Sequence, residues 1–268
     1  MDKERNQINK RINNKYLKYK DKVLLILLQL GLLVLMLGLW EGLAYLKVID
    51  TFLFSSPSRI IDTLIVYISN GQLGKHIFIS VVEVVLGMVI GSVLGIFIAS
   101  LLWLNDKVAK ILDPFMAVLN ALPKTALAPI MIIWAGTGIK GIVVVALSIL
   151  LIITIISTYN YYCNIENEKI KMMKAFGATK LQILFKLIIP CNYINIISIV
   201  KINVGMSWIG VIVGEFLVSR AGIGYLIMYG GQIFNLDLVM MGVFVLAVLA
   251  FGMWKLIDVF EKIYIKKL

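Results

Sequence analysis

The chain alternates between long stretches almost free of charge and short basic stretches. A helix that crosses a bilayer needs about 20 predominantly apolar residues. Residues 23–46, 81–103, 139–158, 190–218 and 238–257 each provide such a run. A sixth run, 112–134, is apolar but interrupted by Pro114, Pro123, Lys124 and Pro129. Broken backbone at membrane depth is tolerated only where protein or a water-filled cavity covers it. The pattern predicts an all-α polytopic bundle of six spans, the third irregular and interior. Residues 1–22 read as a basic cytoplasmic tail. Residues 23–268 read as one transmembrane domain, with a cytoplasmic helical loop at about 164–189. The first apolar run is longer than a signal-peptide core and no small-residue cleavage site follows it, so it is expected to stay as a span.

Composition agrees with a lipid solvent. The chain is 60% hydrophobic and 15% charged, against about 25% charge in soluble domains, and its mean hydropathy is +0.94. The net charge of +11 is unevenly placed. With the N-terminus inside, 19 of the 26 Lys and Arg fall in cytoplasmic segments and 5 in outer ones. That split follows the positive-inside rule, so both termini are expected in the cytoplasm. The positive charge then marks topology and anionic-lipid contact, and no soluble basic face for nucleic acid is evident.

Chemistry of bonds finds little support. Cys163 and Cys191 lie at cytoplasmic span ends without metal-ligand spacing, and the one histidine, His76, is on the other side. No G-x-x-x-x-G-K-[ST] phosphate loop occurs. No catalytic residue, metal site or cofactor is predicted, and any energy source has to be a gradient or a partner.

Three features carry more information. Gly87, Gly91 and Gly95 stand four apart in the second span, a spacing that lets two backbones approach closely. In the fifth span, Asn203 and Ser207 fall near one face at 100° per residue, and Ser198 and Lys201 on the other. Lys201 lies 11 residues past Pro190, about 16 Å along a helix, which predicts a depth near the midplane. A cation there faces either a pathway or an ion-pair partner. Glu83 and Glu215 are the candidate partners if their depth allows. Lys124 beside Pro123 is a similar case.

The third feature is the basic island between the fourth and fifth spans. Residues 166–176 can form a short helix with Ile170, Met173 and Phe176 as an apolar stripe. Gly177 supplies the left-handed backbone that ends a helix. Thr179-x-x-Gln182 is a capping box that starts the next, carried to Pro190 by further apolar residues. Such a unit lies either on lipid or in another protein's groove.

The run Gly177-Ala178-Thr179-x-x-Gln182 through Leu187-x-Ile189-Pro190 resembles the cytoplasmic EAA loop of ABC importer permeases. Ala121-Leu-Pro-Lys-Thr-Ala-Leu-Ala-Pro129 with Ile132-Ile-Trp134 is similar to the third span of the nitrate/sulfonate/taurine subgroup. Gly210-Val-Ile-Val-Gly-Glu-Phe216 and Gly222-Ile-Gly-Tyr-Leu-Ile227 are similar to later segments of it. The likeness runs roughly from Phe54 to Leu268. It implies a type I importer permease of the bacterial plasma membrane, working as a homodimer with two cytoplasmic ATPase subunits and an extracytoplasmic solute-binding protein. It further implies coupling through Ile170, Lys171, Met172, Met173, Phe176, Gly177, Ala178, Thr179 and Gln182, and it leaves Lys124, Ser198, Lys201, Asn203 and Ser207 as pathway candidates. Where the family has Glu-Ala-Ala, this chain has Lys171-Met172-Met173, which puts the identity of the accepted ATPase in question. The implied solute is a small anion such as a sulfonate, taurine or nitrate, with a pyrimidine-type vitamin precursor as the alternative. A gradient-driven secondary transporter would instead carry midplane acids and repeated halves; no repeat is seen.

Overall fold

In the computed structural model, the backbone of residues 2–265 and the side chains of residues 23–263 are described. The chain divides into two units, residues 1–63 and 64–268.

The first unit begins with α1 (Asp2–Tyr45), so the basic leader continues into the first apolar run as one helix. Its described apolar residues are almost all exposed, as expected of a helix whose solvent is lipid. Next come α2 (Thr51–Phe54), capped by Asp50 through the Phe52 N–H, and the start of α3 (Pro57–Ser69). Glu41 fixes that start: its carboxylate accepts from the Ser58 N–H at 2.9 Å and from Ser58 Oγ at 2.8 Å. Those donors are among the groups a helix start leaves unsatisfied.

The second unit is built on α4 (Gln72–Leu104), α7 (Ile139–Cys163) and α11 (Tyr193–Val218), which pack against one another. Their centre is Val84, Ile142, Ala146, Val204, Trp208 and Val211, all buried. Close approach is made possible by small residues. A Cβ added at Gly87 would meet Ser207 and Ala146; at Gly91, Leu150; at Gly95, Thr154. The glycine row is thus a seam within the subunit, with α7 and α11 on its other side.

Between α4 and α7 run α5 (Asp106–Ala121) and α6 (Lys124–Ala135), bent by 99° at their junction. The cause is local. Pro123 has no N–H and drives Leu122 out of the helical region, to φ −62°, ψ 138°. Among the described residues five helices are long and apolar enough to span, and the bent pair brings the number to six if it counts as one. The predicted interior position holds for only part of the pair: α6 buries Ala128 and Ile132 against α7, while most of α5 is exposed.

After α7 come α8 (Asn167–Ala175), α9 (Lys180–Ile183), a π-helical turn at Leu184–Ile188 and α10 (Ile189–Cys191). A regular helix was expected from Thr179 to Pro190. The π turn replaces its second half, because Pro190 removes one N–H from the ladder and its ring crowds the carbonyl four residues earlier. Widening by one residue relieves that crowding. The chain ends in α11, α12 (Ile223–Gln232) and α13 (Leu236–Ile265), with α12 packed on α13.

Candidate functional site: an exposed apolar loop and two polar networks

The loop after α7 forms as its residues dictate. Gly177 has φ +77°, a conformation that costs glycine nothing. Thr179 Oγ1 accepts from the Gln182 N–H at 3.3 Å, and Gln182 Oε1 accepts from the Thr179 N–H at 2.9 Å. The capping box is complete.

What this loop buries and what it leaves open are different residues. Ile170, Met173 and Ala178 pack onto a core of Tyr162, Ile183, Leu184 and Ile188. That burial seats α8 firmly on the end of α7. Met172 is 54% exposed, Phe176 81% and Leu181 55%, and Lys171, Gly177, Thr179 and Gln182 are exposed too. The stripe of Ile170, Met173 and Phe176 expected on one surface is therefore divided. Its first two members face inward, and the open apolar surface is Met172, Phe176 and Leu181. Lys180 fastens the loop to the α4–α5 corner, donating to the Leu104 carbonyl at 3.3 Å and lying 3.6 Å from Asp106.

Lys201 is held in a network near the same end. Its ammonium pairs with Asp258 at 3.0 Å and with Glu261, and sits 5.6 Å from the centre of the Trp254 ring. Lys262 joins Asp258 at 2.7 Å. Asp258 and Glu261 lie in the last two turns and a half of α13, just beyond the stretch read as its apolar span. The expectation of a midplane lysine facing Glu83 or Glu215 differs from this geometry for a simple reason. Lys201 is eight residues into α11, about 12 Å from its start, and a long lysine stem carries its head toward polar partners. The two acids of α13 were missed in the sequence because they sit outside the apolar run.

The remaining pathway candidates separate by environment. Asn203 is buried between Ser92 and Thr154, donating to Ser92 Oγ at 2.9 Å and accepting from Thr154 Oγ1 at 3.1 Å. Ser207 donates to the Val84 carbonyl at 2.8 Å. Both tie α11 to α4 or α7. Ser198 donates to the Ile194 carbonyl within its own helix, and Lys124 to the Asn120 carbonyl across the proline break. Both are partly exposed.

At the far end of α11 a second network joins two segments that are separate in the sequence. Glu215 accepts from Ser80 Oγ and from the N–H groups of Gly224 and Tyr225. It thereby caps α12, whose start otherwise lacks a side-chain cap. Ser80 in turn accepts from the Ile223 N–H at 2.8 Å, and His76 Nδ1 accepts from the Gly222 N–H at 2.9 Å. Gly222 has φ +119°, and a Cβ there would collide with the Glu215 carboxylate. The Gly-Glu-Phe and Gly-Ile-Gly-Tyr runs are thus two halves of one device. The signal available in the sequence was an acid inside an apolar run, which is costly unless satisfied.

Helices long and apolar enough to span, and a capped loop that leaves Met172, Phe176 and Leu181 exposed, are the features of a polytopic membrane subunit. The chain belongs to the binding-protein-dependent transport system inner membrane component family, which it matches over residues 91–268. It is therefore a multi-pass membrane permease of the ABC importer kind. It is 27% identical to a protein described as an aliphatic sulfonates transport permease, SsuC, of Bacillus subtilis, over 89% of this chain and 86% of that one. It is 23% identical to the taurine transport system permease TauC of Escherichia coli, over 91% of each. Its fold is similar to that of a chain in the inward-facing MetNI methionine ABC transporter, with a TM-score of 0.63 and 17% identity, over 71% of this chain and 95% of that one.

Proposed function

We propose that this permease forms the solute pathway of an importer for small organic anions of the sulfonate kind, and that its loop at 164–189 seats a cytoplasmic ATPase subunit. The observation that carries this reading is the division of the loop. One face is anchored on the chain's own core through Ile170, Met173 and Ala178. The other presents Met172, Phe176 and Leu181 openly. A rigid, half-buried helix pair with an exposed apolar tip suits a partner's groove and transmits a push without deforming.

In this reading the loop end is cytoplasmic, with both termini, in agreement with the charge split. A second copy of the chain completes the pathway, and a binding protein delivers solute to the opposite end. Lys124 and Ser198, whose polar ends remain accessible, are the pathway residues of choice. Asn203 and Ser207 serve the packing of α11, and Lys201 ties α11 to α13. Sulfonate as solute rests on the two relatives named above.

The test is association with a cognate ABC ATPase subunit. Phe176→Ala removes a large exposed side chain and is expected to weaken co-purification about tenfold or more, in the range of interface anchors. Its thermal unfolding stays within about 0.5 kcal/mol, as for other surface changes. Undiminished ATPase binding by Phe176→Ala and Met172→Glu would remove the docking assignment.

A further inference from the structure

At the loop end of the bundle a cavity of about 250 Å³ opens where the α4–α5 corner, the end of α7 and the α8–α9 pair meet. Trp103 and Cys163 line it from the ends of the two spanning helices, and Asp106, Asn167, Lys174 and Lys180 add polar groups. Its charged lining is thus two ammonium groups and one carboxylate. Lys174 is exposed and makes no ion pair among the described residues. Lys180 lies 3.6 Å from Asp106, with the two side chains 55% and 75% exposed. An exposed pair at that distance contributes little to stability, so Lys180 can turn to a stronger acceptor at small cost.

Depth narrows the ligand. α4 ends at Leu104 and α7 at Cys163, so the cavity lies where two apolar runs give out, the level of lipid headgroups. Trp103 suits that level, because tryptophan gathers at membrane–water interfaces. Size narrows it further. The volume falls below the roughly 300–1,000 Å³ of drug-sized pockets, which suits a phosphate-bearing headgroup and is small for a nucleotide.

We propose that this cavity holds the phosphate of an anionic phospholipid, with Lys174 and Lys180 on its oxygens and the Asn167 amide donating from the start of α8. Lysine binds phosphate as a point charge, and basic pockets between spanning helices receive anionic headgroups. Lys174 is on α8, Lys180 on α9 and Trp103 on α4, so a seated headgroup ties the exposed loop to the bundle. Binding needs neither ATPase nor solute, and it adds to the docking proposed above without depending on it.

Cys163 lines the cavity and is exposed, so its alkylation reports occupancy directly. Full-length permease carrying Cys191→Ser, which removes the other free cysteine, is titrated in neutral detergent. The probes are short-chain phosphatidylglycerol, short-chain phosphatidylcholine and glycerol phosphate. Phosphatidylglycerol is expected to slow maleimide labelling of Cys163 and to raise the unfolding temperature. Lys174→Gln should raise the protecting concentration about tenfold, the weight of one charge-assisted contact, with unfolding in the absence of lipid unchanged. Lys171→Gln removes a lysine from the same helix but outside the cavity, and protection should persist. Asp106→Asn frees Lys180 and removes the carboxylate, so protection should begin at lower lipid. Equal loss of protection in Lys171→Gln and Lys174→Gln overturns the proposal, because the attraction would then be diffuse over the basic loop. Weaker protection in Asp106→Asn overturns it as well. Glycerol phosphate protecting at the same concentrations overturns the lipid source, and phosphatidylcholine protecting equally overturns the anionic headgroup. No ATPase is present in these measurements, so docking at Phe176 stands or falls on its own test.

Discussion

The two ends of the long α7–α11 pair solve opposite problems. At the far end, Glu215, Ser80, His76 and the first N–H groups of α12 satisfy one another inside the chain. At the loop end, α8 and α9 are properly capped and anchored, yet Met172, Phe176, Leu181 and Phe185 stay exposed. Buried polar groups have to be satisfied locally or they destabilise the fold. Exposed apolar groups can be left for a partner. The comparison separates the end whose polar groups are satisfied within the chain from the end whose apolar groups are open to the proposed partner.

The largest effect is expected at the self-sufficient end. Gly222→Val forces a β-branched residue to φ +119° and drives its Cβ into the Glu215 carboxylate. Strain and a broken cap together should cost about 4 kcal/mol, at the upper end for single substitutions. Thermal unfolding of the purified subunit measures it. A loss no greater than that at Gly177 would erase the contrast between the two ends.

Lys201→Met should come next. It takes the cation from Glu261 while Asp258 keeps Lys262, and stability should fall while ATPase binding persists. Adding Glu261→Gln should restore part of the loss. A stable Lys201→Met with impaired uptake would instead return Lys201 to the pathway.

Gly177→Val sharpens the comparison from the other side. The glycine has φ +77° but open space around it, so only backbone strain applies, about 2 kcal/mol. Association with the ATPase should suffer more than folding does. If unfolding and association fall in proportion, the loop is a structural element like the far end and not a docking tip.

The smallest effect belongs to Thr179→Ala. It deletes one half of the capping box, worth about 1 kcal/mol. Hydrogen exchange at the Gln182 amide should rise locally, with little change elsewhere. Unchanged exchange there would show that packing of Ile183 and Leu184, and not the cap, holds α9.

Much of the loop was legible because its instructions are local. Gly177 ends a helix, Thr179 and Gln182 start one, and neither needs to know the rest of the fold. The Pro123 break was legible for the same reason. The π turn before Pro190 was not: a proline announces a disturbance without saying whether the chain kinks, ends or widens. The inward facing of Ile170 and Met173 was hidden because both interior and partner-facing apolar residues obey the same helical spacing. The partners of Lys201 were hidden because they are 57 and 60 positions away, on a helix whose register against α11 depends on packing.

The sequence by itself determined the apolar character of the chain's surroundings, the number and order of the apolar runs, the uneven placement of positive charge along the chain, and the turns written by Gly, Pro and Thr. These follow from composition and from interactions spanning four residues or fewer. Only the tertiary structure decided which acid meets which donor. Glu215 was matched to the start of α12, Lys201 to α13, and Glu83 to the neighbouring carboxyl of Glu215. Side chains so far apart in the chain are brought together by helix packing, and the distances that set their energies exist only after that packing has formed.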